Sequence, residues 1–183
     1  MCHNLLQDPA FFRFLSRIDA ELAAEARRCR CPHCAGPLHV ADYPRKPRGC
    51  PVAVRAEYAH RLSFTCGWCE TRTTPASVRF LGRRVYVALA LMLVSPQGGI
   101  AARAVADRLA VSPRTLSRWR TWWRHIFPTT PFWRSARARF LSPVASERLP
   151  ESLWARFGAP TCPERMAQIL VFLSPLGSTT MGA

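Results

Sequence analysis

Two C-x-x-C pairs, Cys31-Pro-His-Cys34 and Cys66-Gly-Trp-Cys69, constrain this 183-residue chain more than any other feature. Two cysteines separated by two residues place both sulfurs on one side of a tight turn. Two such turns together offer four soft donors to one tetrahedral ion. The pairs lie in a segment, 29–81, whose short strand-like runs (38–43 and 61–65) are divided by proline- and glycine-rich turns, a pattern unsuited to helices.

The chemistry these pairs imply is a four-cysteine zinc ribbon with Cys31, Cys34, Cys66 and Cys69 as ligands. The 31 residues between the pairs exceed the compact spacing of common zinc motifs. Loop-closure entropy, however, rises only with the logarithm of length, so a ribbon tolerates the insertion. Pro32 and the Ala35-Gly36 dipeptide resemble a rubredoxin-type knuckle in which glycine permits the turn, and Gly67 is expected to serve the second knuckle in the same way. Cys29, Cys50, His33, His39 and His60 are spare donors, and a redox role for one pair is the competing reading. Four thiolates leave no open position for water or substrate, so the expected Zn²⁺ is structural.

Charge points to the partner. The chain carries a net +15, and of its 26 basic residues all but Lys46 are arginine. Residues 55–140 hold 15 arginines against Glu57, Glu70 and Asp107, whereas residues 1–26 are net acidic and 141–183 are balanced. A GC-rich genome accounts for arginine in place of lysine but not for the shortage of acids in the middle. Arginine there suits bidentate contacts to phosphates and bases, so the expected partner is double-stranded DNA. No charged-then-apolar leader opens the sequence, which favours reduced cysteines and a cytoplasmic, nucleoid-associated location. The longest apolar run, 85–94, is about half of what a bilayer span requires and reads as a buried helix, with no membrane partner.

The expected fold class is α+β: a small β-rich zinc ribbon followed by an all-α helix-turn-helix module, with flanking helices. Asp8 and Pro9 suit the start of an amphipathic helix reaching Arg28, with Asp19, Glu21 and Glu25 on its polar side, which makes 1–28 the first unit. The ribbon occupies 29–81. Helical pattern returns over 82–94 and 100–127, with the break at Ser95, Pro96, Gly98 and Gly99, giving a second module at 82–127. Residues 128–176 read as a proline-rich linker with C-terminal helices at 151–157 and 164–173, and 177–183 as a disordered tail.

Within the second module, 101–109 and 113–127 read as two helices joined by a three-residue turn, with Ser112 as N-cap and Pro113 in the first turn. Val105, Leu109, Val111, Leu116 and Trp119 fall on the inner face, with small Ala106 at the close approach. Arg114, Thr115, Ser117 and Arg118 then face outward where a recognition helix meets base edges, and Arg120 and Arg124 are placed to reach flanking phosphates. Trp119, Trp122 and Trp123 cannot all point inward, and Trp122 is the one expected outside the core.

The order of cysteine ribbon, Arg72-Thr73-Thr74-Pro75, the run 78–84, and a helical module ending Arg118-Trp119-Arg120 resembles the DNA-binding parts of bacterial insertion-sequence transposases. The resemblance covers about residues 29–127. It implies a small zinc-ribbon plus helix-turn-helix protein that lacks the catalytic domain and binds element ends or the element's promoter. A separate transposase or integrase would then supply the chemistry. Strand transfer needs three clustered metal-binding carboxylates, and this chain has eleven acids, mostly near its two ends, so no enzymatic role is expected. Two other classes remain open at this point. One is a protein-interaction adaptor built on the ribbon and the first helix. The other is an RNA or single-strand binder stacking bases on Trp68, Phe64, Trp122 and Trp133.

Overall fold

The computed structural model describes residues 3–47, 49–81, 86–94, 107 and 111–178. After a 3-10 turn at His3–Gln7 comes α1 (Pro9–Arg28), whose boundaries follow from local chemistry. The Asp8 side chain accepts the Ala10 N–H at 2.9 Å, and Pro9 has no N–H to leave unpaired. Arg27 and Arg28 occupy the last turn, where the negative end of the helix dipole favours cations. Phe11, Phe12 and Leu15 of α1 enter the main core, while Ala23 enters a second, smaller cluster with Cys31, Leu38, Phe64 and Cys66. One helix thereby covers both cores.

The short strands that follow are β1 (Leu38–Val40), β2 (Tyr43–Pro44), β3 (His60–Arg61), β4 (Phe64–Cys66), β5 (Arg72–Thr73), β6 (Phe80–Leu81) and β7 (Tyr86–Val87). They form an antiparallel sheet β1-β4-β5 and two hairpins, β2-β3 and β6-β7. Leu38 pairs with Cys66 and Phe64 with Thr73, and all four are buried. Because side chains alternate, the row His39, Thr65, Arg72 lies on the opposite face of the same sheet. With the helices α2 (Ala88–Val94), α3 (Pro113–Thr121), α4 (Pro131–Ala136), α5 (Glu151–Trp154) and α6 (Cys162–Leu173), the chain is of mixed α+β construction.

Several expectations change. The helix expected from residue 82 begins at Ala88, and Tyr86–Val87 is a strand paired with Phe80–Leu81. Phe80, Leu81 and every described side chain from Val87 to Leu93 are buried, and a run buried on all sides has no period that separates strand from helix. The helix expected over 101–109 lies outside the described residues apart from Asp107. Its expected partner is α3, which gives way to a π-helical turn at Trp122–Ile126 and a 3-10 turn at Phe127–Thr129 instead of continuing as α-helix. Pro128 has no N–H for the Arg124 carbonyl, so an α-helix could not have continued unbroken through this region. Within 128–150 the short helix that the linker reading left open does form: α4, capped by Thr130, buries Trp133 and Ala136, and Leu149 is buried as well. Trp133 meets Phe127 at 4.8 Å between ring centroids, in an aromatic cluster reaching Phe140, Phe157 and Phe172. The C-terminal helices do form, and a capping box between Thr161 and Glu164 opens α6.

Asp19 also departs from its expected place on a polar face. It is buried, and its carboxylate accepts hydrogen bonds from Ser77 Oγ (2.6 Å), Val78 N (2.7 Å) and Arg79 Nε (2.7 Å). Arg79 in turn donates to the Glu57 carbonyl at 2.6 Å. A buried ion pair is tolerated when its remaining donors and acceptors are satisfied, and this network pins α1 to the segment entering the hairpin β6-β7. Arg61 is buried too, donating to the carbonyls of Pro75 and Gly177. Arg61 and Arg79 are therefore structural, and the basic surface is smaller than the arginine count suggests. Among the described cysteines six are free, whereas Cys162 is in a disulfide, contrary to the expectation of reduced thiols throughout. Among the described residues no helix is long and apolar enough to cross a membrane.

Candidate metal centre and basic helix

The two C-x-x-C turns converge. The sulfurs of Cys31, Cys34, Cys66 and Cys69 all lie within 4.8 Å of one another, with Cys31 to Cys69 at 3.6 Å and Cys34 to Cys66 at 3.4 Å. A tetrahedral ion with metal–sulfur bonds of about 2.3 Å sets its ligands about 3.8 Å apart, so this arrangement is competent to hold one metal ion. Strand β4 ends on Cys66, and its pairing with β1 brings the first turn against the second. Cys31 and Cys66 are buried, Cys34 is half-buried and Cys69 exposed.

Backbone groups complete the cradle. The Trp68 N–H donates to Cys66 Sγ at 3.4 Å. Cys69 is held well below the ordinary thiol range, to about 6, first by the Thr71 hydroxyl and backbone N–H and then by Cys34. Cys66 is also lowered, chiefly by the Cys69 and Trp68 amides. Cys34 is pushed up to about 12: the Gly36 amide pulls it down, but a hydrogen bond with Cys66, burial, and contacts with Cys69 and Cys31 outweigh that.

The glycines work differently from expectation. The left-handed positions are Ala35 and Glu70, both with φ of 57°, not Gly36 or Gly67. Gly36 is needed for space, since a Cβ there would lie 2.9 Å from Cys66 Sγ and from the Trp68 ring. At Gly67 a Cβ would approach His39 Nε2 to 2.7 Å. The spare donors are not members of the four-sulfur cluster. Cys29 donates to Glu25, and Cys50, its thiol pushed up by burial, donates to the Pro47 carbonyl at 3.2 Å.

The second feature is α3. Ser112 caps it by accepting the Thr115 N–H at 3.3 Å, with Pro113 in the first turn, as the local sequence requires. Leu116, Trp119 and Trp123 are buried, which turns Arg114, Ser117 and Arg118 outward along one ridge, with Arg124 exposed beyond it. The Thr115 hydroxyl is drawn into the cap, 3.1 Å from Ser112 Oγ, and is half-buried. Arg120 is half-buried as well, with Nε enclosed and unpaired. None of the arginines on α3 or its extension forms a salt bridge among the described residues. Trp122 is half-buried against Trp123 and Phe127, outside the fully buried set as expected. Of the aromatics proposed for base stacking, Trp133 and Phe64 are buried and only Trp68 is largely exposed, at 67%. Compared with family models, curated proteins and solved structures, the chain matches none.

Proposed function

We propose that this chain is a DNA-binding protein whose β-rich half folds around one structural Zn²⁺ and whose α3 ridge meets duplex DNA. The donor set argues for zinc: four thiolates in a tetrahedral arrangement suit Zn²⁺, and they fill its coordination sphere, so the ion stabilises the fold and performs no chemistry. The observation that carries DNA binding is the ridge Arg114, Ser117 and Arg118. It stands on a helix held rigid by its cap and two buried tryptophans, and its guanidinium groups have no carboxylate partner among the described residues. Unpaired guanidinium groups on a rigid helix suit the major groove, where arginine meets guanine edges and phosphates. In keeping with the transposase-like order of modules, the biological site is the end or promoter of a bacterial mobile element, and a separate transposase or integrase is the protein partner.

Fluorescence anisotropy with duplexes carrying element ends and with scrambled duplexes tests this. Arg118→Ala should weaken cognate binding by roughly 1–3 kcal/mol and relax sequence preference, whereas Arg124→Ala should weaken both duplexes alike. Affinity unchanged in Arg114→Ala/Arg118→Ala would overturn the assignment of the ridge.

A further inference from the structure

We infer that the zinc-binding half carries a second nucleic-acid contact, a phosphate-binding surface made by Tyr43, Arg45 and Arg72. This inference rests on the DNA-binding reading above and adds to it a surface separate in sequence from α3.

On the face of the sheet β1-β4-β5 away from Leu38, Phe64 and Cys66, His39, Thr65 and Arg72 stand in direct register across three strands. Neighbours in such a row stand about 5 Å apart, so three hydrogen-bonding side chains line up across the strands. Arg72 is exposed yet fixed: its Nη1 donates to the Ala41 carbonyl at 2.9 Å and lies 3.4 Å from Ser63 Oγ. Its guanidinium also stands 5.4 Å from the centre of the Tyr43 ring. Arg45, just beyond β2, stacks on that ring at 4.5 Å and donates to the Tyr43 hydroxyl at 2.9 Å.

Two like charges held against one tyrosine ring make a locally positive surface, and an anion that meets either guanidinium lowers the cost of holding both there. The acid adjoining them in sequence, Asp42, turns its Oδ1 to the Ser63 N–H at 2.9 Å. Arg72 forms no salt bridge among the described residues. Lys46, next to Arg45 in the chain, is exposed and adds a further positive charge. Arginines already immobilised by backbone and ring contacts lose little entropy on meeting a phosphate, and their geometry suits its two oxygens. The chemistry fitted is the phosphodiester backbone, read without regard to base.

The test is the salt dependence of duplex binding by the full zinc-loaded chain, for wild type, Arg45→Gln/Arg72→Gln and Arg45→Lys/Arg72→Lys, with metal content measured for each. Two lost phosphate contacts should reduce the magnitude of the slope of log affinity against log salt by about 1.8 in the glutamine variant, and the lysine variant should keep the wild-type slope. If the double glutamine variant loses its metal, Arg45→Gln alone reads the same quantity at about half that change, because Arg72 stays bonded to Ala41. Wild-type slope in a metal-loaded glutamine variant overturns this inference and leaves the role of α3 standing. A wild-type chain that binds no duplex overturns the DNA-binding reading, and this surface with it.

Discussion

Ala35 and Glu70 occupy the same position in two copies of one turn. Each follows the second cysteine of its pair, each has φ of 57°, and each donates its N–H to the first cysteine's carbonyl, at 2.8 Å to Cys31 and 3.1 Å to Cys66. The first cysteines complete the match by donating to Gly36 and Thr71, five residues on, at 3.0 and 3.1 Å. The metal centre is therefore built from two equivalent knuckles. The long segment between them contributes strands and a core without altering ligand geometry.

A β-branched residue in the left-handed region is strained, whereas glycine adopts it freely. Ala35→Val and Glu70→Val should each weaken metal retention by an amount of order 1–3 kcal/mol, and Ala35→Gly and Glu70→Gly should retain the metal. Competition with a chromophoric chelator measures this.

Gly36→Ala should reduce metal affinity and fold stability by about 1–3 kcal/mol, because the added methyl meets a ligand sulfur and the Trp68 ring together. Gly158, with nothing within 4 Å of its ideal Cβ, supplies the control: Gly158→Ala should leave metal affinity unchanged. Equal metal affinity in the two variants would remove the packing role given to Gly36.

Metal binding should be linked to protons with a definite sign. Cys34, up at about 12, is protonated at neutral pH, while Cys69, down at about 6, is largely thiolate. Any thiol still protonated must release its proton to the solvent when it coordinates, so affinity should rise with pH between 6 and 8. Calorimetry in buffers of different ionisation enthalpy should find net proton release, larger at pH 6 than at pH 8. Affinity independent of pH would contradict ligation by these thiols.

Asp19→Asn should be among the most destabilising single changes away from the metal, since it leaves the Arg79 guanidinium buried without its counter-charge, at a cost of about 3–5 kcal/mol. Asp19→Leu/Arg79→Met, which removes both charges, should recover much of that loss. Urea denaturation of the two variants compares them directly.

The parts of this fold legible in the sequence are those governed by near neighbours. Asp8-Pro9 and Ser112-Pro113 start helices where local capping dictates, and two C-x-x-C turns must each present two sulfurs on one side. The buried role of Asp19 was hidden because its partners, Ser77 to Arg79, lie about 60 residues away, and helical periodicity assigns an acid to the solvent side. The same limit concealed Trp133: four prolines made 128–150 look extended, but Phe127, Phe140 and Phe172 gather around that region from other turns. Arginine composition likewise overstated the surface charge, since Arg61 and Arg79 are spent on internal carbonyls and a carboxylate.

The most direct test of the account is the affinity of the zinc-loaded wild-type chain for duplex DNA, measured from about 50 to 200 mM salt. Arg114 and Arg118 on α3 and Arg124 just beyond it, joined by Arg45 and Arg72, displace several counterions at once. The expected result is a straight line of log affinity against log salt with a slope of about −3 or steeper, at roughly −0.9 per phosphate. Binding that persists with a slope near zero, or no binding at the low-salt end, would contradict it.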